Sequence, residues 1–157
     1  MGLFKRNKKD ELNAYCQGQV IQLEDVKDAM FSKGMIGDGI AIEPENGDIY
    51  SPIDGTVTMV FPTKHALGIH SEEGLDVVIH AGIDTVKLKG EGFEAFVEEG
   101  EIVKKGQLLL KMNLKTVENH HFEKSVICVI TEPRGLDFEI LASSNVKVGN
   151  PLLKIKK

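Results

Sequence analysis

Apolar and polar residues alternate with a period of two along most of this chain. Successive side chains of a β-strand point to opposite faces of a sheet, so this period predicts strands rather than helices. Turn signals such as Asn46-Gly47-Asp48 and Lys105-Gly106 separate the alternating segments. Many short strands joined by such turns predict an all-β fold, an antiparallel β-sandwich or barrel. The predicted strands are residues 19–23, 39–43, 55–61, 66–70, 75–80, 107–112, 125–131, 137–142 and 152–156. Short helical turns are predicted within residues 24–33 and 114–123.

The composition narrows the class of protein. The 157 residues carry a formal net charge of -5 and have a pI near 5.5. This balance argues against a nucleic-acid binder, because such proteins usually present a basic face. The two cysteines, Cys16 and Cys128, have no second thiol near them in the sequence, which is typical of reduced thiols in a cytoplasmic protein. We expect a mobile N-terminal tail over residues 1–15 and a single domain over residues 16–157.

The first residues, MGLFKRNKKD, are basic and include Leu3 and Phe4. Such a segment is expected to contact an anionic membrane only weakly. No apolar run of signal-peptide length follows it, and no run in the sequence is long enough to span a bilayer.

Two histidines, His65 and His80, lie on either side of an acidic turn. Residues 66–70 and 75–79 are predicted strands joined by the loop SEEG, whose length is ordinary for a hairpin. In that register His65 lies directly opposite His80 on the same face of the sheet, where Cβ atoms are about 4.5–5.5 Å apart. The hairpin therefore predicts two imidazoles within reach of one shared group.

The alternation also predicts what surrounds the histidine pair. Val78 is expected on the face of His80, while its neighbours in the strand point into the core. Phe61 and Thr63 are expected on the face of His65 if that segment is extended. Apolar side chains around an exposed polar pair predict a docking surface for another protein.

Three chemistries use a pair of imidazoles. A metal site needs a third and a fourth ligand, and a regular strand places the nearest histidine, His70, on the other side. Hydrolysis through a serine or cysteine needs a nucleophile beside a histidine, and the motif G-x-S-x-G does not occur in the sequence. In the third chemistry, a neutral imidazole accepts a phosphoryl group and the second imidazole stabilises the added charge. The sequence supplies everything that this third chemistry requires.

Longer stretches of the chain resemble one known family. They are MGLF at the start, LEDV, GDGIAI, SPIDGTV, TKHA, GLDVVIHAGIDTVKLKGEGF and a closing KIKK. In these stretches the chain resembles the glucose-type enzyme IIA of the bacterial phosphoenolpyruvate-dependent sugar phosphotransferase system. The resemblance implies an all-β sandwich, or barrel-sandwich hybrid, that acts as a phosphocarrier through a phosphohistidine. It implies two partners: the histidine-containing carrier HPr donates the phosphoryl group, and the cysteine of a IIB domain receives it for sugar uptake and phosphorylation.

The same resemblance implies a role for each residue of the site. His80 would carry the phosphoryl group on Nε2, with His65 as the second histidine. Thr63 would orient His65 through a hydrogen bond, and the carbonyl of Gly82 would accept the Nδ1–H of His80. No cofactor is expected to be required, although the two histidines can complete a zinc site with a carboxylate from a partner.

The resemblance also implies a shallow docking surface that is apolar with an acidic rim. Its apolar members are Ala29, Met30, Phe31, Ile36, Phe61, Val78 and Val86, and its acidic members are Asp28 and Asp84. An acidic rim speeds the encounter with a basic partner more than it tightens the complex. Regulated permeases and kinases are further expected partners of this surface. Contact with a membrane is expected only through a permease or the N-terminal segment.

Three other functions stay open at this point. A biotinyl or lipoyl carrier would need a lysine at a hairpin tip, and Lys111 is the nearest candidate. A zinc-dependent peptidoglycan hydrolase of related fold would need a third protein ligand beside His65 and His80. A regulatory docking protein would use the same surface without turnover.

Overall fold

The structure is a computed structural model that describes residues 11–133 and 135–156. Its strands are β1 Glu11–Asn13, β2 Gly18–Gln22, β3 Asp38–Pro44, β4 Asp48–Tyr50, β5 Gly55–Val60, β6 Ala66–Ser71, β7 Asp76–Ala81, β8 Phe93–Ala95, β9 Ile102–Val103, β10 Leu108–Met112, β11 Val126–Thr131, β12 Asp137–Ile140, β13 Asn145–Val146 and β14 Pro151–Lys156. The α-helices are α1 Ala29–Ser32 and α2 Leu114–Asn119, and 3-10 helices cover Leu23–Asp25 and Thr85–Leu88. Within the described ranges, no helix has the length and apolar character needed to cross a bilayer.

The strands pair antiparallel in three sheets, which confirms the all-β prediction. Two sheets have three strands each, in the orders β1-β14-β12 and β4-β10-β8. The third has eight strands in the order β13-β2-β3-β11-β7-β6-β5-β9. Each alternating segment of the sequence forms a strand, and the helical turns predicted within 24–33 and 114–123 are present as well.

The main hydrophobic core contains side chains from all three sheets. It includes Leu153 of β14, Leu110 of β10 and Ile79 of β7, each at most 1% exposed. Burying one such side chain contributes about 1.5–3 kcal/mol of transfer free energy. The core therefore holds the eight-stranded sheet, which carries the histidines, firmly against the two smaller sheets.

A second, smaller cluster covers the opposite face of the large sheet. We call it the outer cluster; its buried members are Leu23, Val26, Phe31, Ala41, Ile83, Ile127 and Val129. Strand β11 has apolar residues at successive positions because both of its faces are covered: Ile127 enters the outer cluster and Cys128 enters the main core. The carboxylate of Asp28 caps α1 by accepting a hydrogen bond from the Met30 amide at 2.8 Å. The cap fixes the start of the short helix that carries Phe31 into the outer cluster.

The prediction of a mobile tail through residue 15 is wrong for residues 11–15. Strand β1 pairs with β14, and Leu12 and Tyr15 are buried. The Tyr15 hydroxyl donates a hydrogen bond to the carbonyl of Val126 at 2.8 Å. A three-residue strand is too short to show a period of two, so the alternation of apolar and polar residues does not predict β1. The membrane contact predicted for Leu3 and Phe4 lies outside the described residues.

Candidate functional site

The β6–β7 hairpin places Ala66, not His65, directly opposite His80. The predicted register is therefore wrong by one residue. The reason is the loop: the Ser71 amide bonds to the Leu75 carbonyl at 2.8 Å, which leaves a loop of residues 72–74. Gly74 at its end has a left-handed φ of 89°. Glycine in that position is typical of three-residue hairpin loops, and this was the signal that pointed to the shorter loop.

The two imidazoles meet in spite of this register. The segment before β6 is not extended as predicted; it turns, with the Lys64 amide bonded to the Phe61 carbonyl at 2.7 Å. Lys64 has a left-handed φ of 60°, which interrupts the strand alternation immediately before His65. The ring centroids of His65 and His80 lie 4.9 Å apart, with the ring planes at 81°. The one-residue shift in register and the turn at Lys64 thus offset each other, and the two imidazoles still meet on one face of the sheet.

His80 is held by the backbone that follows it. Its Nδ1 lies 2.7 Å from the carbonyl oxygen of Gly82. A carbonyl can only accept, so Nδ1 carries the hydrogen and the neutral ring has its lone pair on Nε2. Gly82 has a left-handed φ of 78°, a conformation that favours glycine. The turn after β7 therefore selects the ring nitrogen that is available for chemistry.

His65 is more deeply buried, at 2% exposure. Its Nδ1 lies 2.6 Å from Oγ1 of Thr63, and the ring of Phe61 packs edge-on against it at 5.3 Å between centroids. When the Thr63 hydroxyl donates to Nδ1, the hydrogen of the neutral ring lies on Nε2. Both rings thus use Nδ1 to bind the protein and leave Nε2 for another group.

The electrostatics favour neutral rings. Burial, together with the smaller effect of the neighbouring His80, lowers the pKa of His65 to about 4. Burial also lowers the pKa of His80, against the opposing effects of its hydrogen bond to Gly82 and of the carboxylates of Asp28 and Asp84. Both imidazoles are therefore uncharged near pH 7, which is the state in which a ring nitrogen acts as a nucleophile.

The residues predicted for the docking surface fall into two groups. Met30 and Val86 are each 49% exposed, and Ala29 and Asp84 are also open to solvent. The others are partly or fully covered: Phe31, Ile36 and Val78 pack in the outer cluster, and Asp28 and Phe61 are half-buried. The ring of Phe31 lies 5.1 Å from that of His80, so the covered group supports the site.

Met35 adds to this surface, although no sequence pattern predicts it there. It is 67% exposed, and its amide bonds to the Met30 carbonyl at 3.0 Å. Two exposed methionines joined in this way add adaptable apolar area next to α1. The sequence shows only that Met35 follows the predicted helical turn of residues 24–33. That position alone does not indicate whether a methionine is exposed or buried.

The alternatives find less support in the geometry. Among residues 11–133 and 135–156, no group of three or more His, Cys, Asp or Glu side chains is placed to hold a metal ion. A third hydrolase ligand is therefore not found beside His65 and His80 in that part of the chain. Lys111 lies within β10, between β4 and β8, and not at a hairpin tip as a biotinyl or lipoyl carrier would require.

Comparison with known proteins identifies the family of the chain. A family model described as "phosphoenolpyruvate-dependent sugar phosphotransferase system, EIIA 1" matches residues 10–136. The chain belongs to this family. It is 36% identical to the solved structure of glucose permease IIA from Mycoplasma capricolum, with a TM-score of 0.88 over 98% of each chain. The predicted resemblance and fold class are thereby confirmed, and this EIIA-family chain is a component of a sugar phosphotransferase system.

Two curated relatives come from Staphylococcus carnosus (strain TM300). The chain is 41% identical over 140 residues to a "PTS system glucose-specific EIICBA component", covering 89% of this chain and 21% of that protein. It is 42% identical over 138 residues to a "PTS system glucoside-specific EIICBA component", covering 88% of this chain and 20% of that protein. The chain thus spans about a fifth of the length of these relatives.

Proposed function

We propose that the chain is a cytoplasmic phosphocarrier that accepts a phosphoryl group from phosphorylated HPr on Nε2 of His80. It then passes the group to the cysteine of a IIB domain, which phosphorylates sugar during uptake. The hydrogen bond of 2.7 Å from Nδ1 of His80 to Gly82 carries this proposal, because it leaves the Nε2 lone pair free. The ring of His65, 4.9 Å away, is the group that stabilises the transferred charge.

The transfer balances without a cofactor. The Nε2 lone pair of His80 attacks phosphorus, and the bond from phosphorus to the donor's histidine nitrogen breaks, so that nitrogen recovers its electron pair. In the second step a thiolate of the IIB domain attacks phosphorus, and the bond to Nε2 of His80 breaks. Phosphoryl transfer depends mainly on alignment and on stabilising charge on the phosphoryl oxygens. An Nε2–H of His65, oriented by Thr63, supplies a hydrogen-bond donor for those oxygens.

The partners are proposed from the surface and from the names of the relatives. The carboxylates of Asp28 and Asp84 both act to raise the pKa of His80, and we propose that they form an acidic rim beside the reacting ring. Such a rim favours encounter with a basic partner. The Staphylococcus relatives are named EIICBA components, which suggests that a IIB domain accepts the group. Zinc shared with a partner, and regulated permeases or kinases, stay predictions.

Labelling tests the proposal directly. The protein is incubated with labelled phosphoenolpyruvate, enzyme I and HPr, and acid-labile, base-stable phosphate is measured. We expect label on the wild type and none on His80→Ala. The matched control is His70→Ala, which removes an imidazole from the other end of the same hairpin and should keep the label. Label that persists in His80→Ala would refute the assignment.

A further inference from the structure

The peptide unit between Gly82 and Ile83 has partners on both sides. Its carbonyl, from Gly82, lies 2.7 Å from Nδ1 of His80. Its amide, from Ile83, donates to the carbonyl of Glu123 at 3.0 Å. The hydrogen bond from the Ile83 amide anchors this peptide unit to the segment that leads into β11. It therefore fixes the direction in which the Gly82 carbonyl points. The tautomer of His80 therefore depends on the orientation of one peptide plane.

The preceding peptide unit, between Ala81 and Gly82, is fixed in the same way. Its amide, from Gly82, donates to the carbonyl of Ser125 at 2.9 Å. Its carbonyl, from Ala81, accepts a hydrogen bond from the hydroxyl of Thr85 at 2.6 Å. The two planes meet at Gly82, so a rotation of the first would turn the second. The two peptide units thus have four hydrogen-bond partners. Two are the backbone carbonyls of Glu123 and Ser125, the third is Nδ1 of His80, and the fourth is the side-chain hydroxyl of Thr85.

Thr85 is suited to hold this turn. It is 0% exposed, so neither its hydroxyl nor its methyl group is available to a docking partner. Its Cγ2 would lie 2.5 Å from a Cβ added to Gly82, which means that the methyl group packs directly against the turn. The hydroxyl and the methyl group together fill the space beneath Gly82. A hydroxyl in this buried place has a definite task, since an unpaired carbonyl there would be costly.

We propose that Thr85 is a positioning residue for phosphoryl transfer on His80. Its hydroxyl holds the Ala81–Gly82 peptide so that the next carbonyl accepts the Nδ1–H of His80. Without that bond the neutral ring gains access to the Nε2–H form, which has no lone pair at the reacting nitrogen. This inference rests on the proposed function of His80 and adds a residue whose hydroxyl bonds to the backbone of the turn and not to a histidine ring.

Two substitutions separate the hydroxyl from the methyl group. Thr85→Val keeps the branched shape and removes the donor, whereas Thr85→Ser keeps the donor and removes Cγ2. The readouts are the ring ¹⁵N chemical shifts of His80 at pH 7.5, which report its tautomer, and the rate of phosphoryl acceptance from phosphorylated HPr. We expect Thr85→Val to lower the Nδ1–H fraction and to slow acceptance by about tenfold. Thr85→Ser should stay within about threefold of the wild type.

The outcomes that overturn the inference are distinct. A Thr85→Val protein with the wild-type tautomer and rate shows that the hydroxyl is not needed. Equal losses in Thr85→Val and Thr85→Ser would mean that keeping the hydroxyl does not preserve the turn, so the effect would belong to the fit of the whole side chain and not to the hydroxyl. If thermal unfolding shows that Thr85→Val does not fold, Thr85→Ala replaces it, because it differs from Thr85→Ser only in lacking the hydroxyl; Thr85→Ala should then show the lower Nδ1–H fraction and the slower acceptance relative to Thr85→Ser. A wild type that takes no phosphoryl group refutes the proposed function, while the tautomer comparison still tests Thr85.

Discussion

The two ends of the β6–β7 hairpin present histidines in contrasting surroundings. At the loop end, His70 lies opposite Asp76, with Nδ1 2.8 Å from the carboxylate and both side chains more than half exposed, at 52% and 56%. At the open end, His80 lies opposite Ala66, and its Nδ1 bonds to a neutral carbonyl. One end pairs an imidazole with a carboxylate in water. The other groups two imidazoles, one buried and one half-buried, whose Nδ1 atoms bond to uncharged partners.

The difference shows that partner and burial, more than the histidine itself, determine the chemistry. An exposed pair such as that of His70 and Asp76 contributes about 0–1 kcal/mol to stability, because water screens the charges. At the open end, burial lowers the pKa of both rings. The Thr63 hydroxyl and the Gly82 carbonyl are uncharged, so they orient the two rings without the stabilisation of a protonated imidazole that a carboxylate would give. The same hairpin therefore has one end suited to solvent and one end suited to nucleophilic attack.

The largest expected effect comes from giving the open end a carboxylate. His65→Gln removes the second imidazole without charge, and we expect it to accept phosphate but to pass it on about a hundredfold more slowly. His65→Glu should also lose most of the acceptance step, because a carboxylate raises the pKa of His80 and repels the incoming phosphoryl group. Rates of acceptance from phosphorylated HPr and of transfer to a IIB domain measure both steps. Equal rates in the two variants would show that charge at this position does not matter.

The second-largest effect is expected from a glycine substitution at the open end of the β6–β7 hairpin, with a matched glycine substitution at the loop end as its control. Gly82→Ala places a Cβ 2.5 Å from Thr85 Cγ2 at a left-handed φ of 78°, so the turn after His80 must move. We expect acceptance to slow by about tenfold. Gly74→Ala meets a similar φ of 89° in the loop, with nothing within 4 Å of the new atom. Each change should cost roughly 1–2 kcal/mol of unfolding free energy from the backbone, but only Gly82→Ala should slow the reaction. A comparable slowing in Gly74→Ala would contradict this.

The pH dependence of stability tests the buried rings. His65 has a pKa of about 4 in the folded state and 6.5 as the reference value, so between these pH values the unfolded chain binds the proton more readily. The free energy of unfolding should therefore decrease as the pH falls from 6.5 towards 4, and His80 acts in the same direction. Urea unfolding at several pH values measures this decrease. We expect a shallower decrease for His65→Gln, and an unchanged slope would show that His65 is not protected from protonation.

The smallest expected effect concerns the acidic rim. Asp84→Asn should slow association with HPr by about threefold at low salt, and the effect should shrink at high salt because ions screen the charge. Asp76→Asn removes a carboxylate from the loop end and should change the rate much less. Stopped-flow association at low and high ionic strength compares the two variants. Equal slowing would mean that net charge, and not a local rim, guides the partner.

The sequence predicted the long strands because alternation needs several residues to show. Strand β11 was found as a run of apolar residues, and β7 as a clear alternation. The strands that were missed, such as β9 and β13, have only two residues each, which cannot show a period. Their pairing is set by neighbours that are distant in the sequence.

The site could be predicted more fully than the register that supports it. The pairing of His65 and His80 came from an assumed loop length, which was wrong by one residue, and from the assumption of an extended segment before His65. The left-handed Lys64 offset the first error. The contact of Thr85 with the turn at Gly82 depends on tertiary packing, which neither a period nor a motif describes. Sequence patterns locate chemical groups, and the backbone bonds that orient those groups require coordinates.

The backbone carbonyl of Gly82 binds Nδ1 of His80, and we propose that Nε2 of this ring carries the phosphoryl group. NMR of the phosphorylated, ¹⁵N-labelled protein identifies both the residue and the ring nitrogen bonded to phosphorus. We predict a single phosphohistidine, at Nε2 of His80, with Nδ1 still protonated. Phosphorus bonded to Nδ1 of His80, or to either nitrogen of His65, would contradict it.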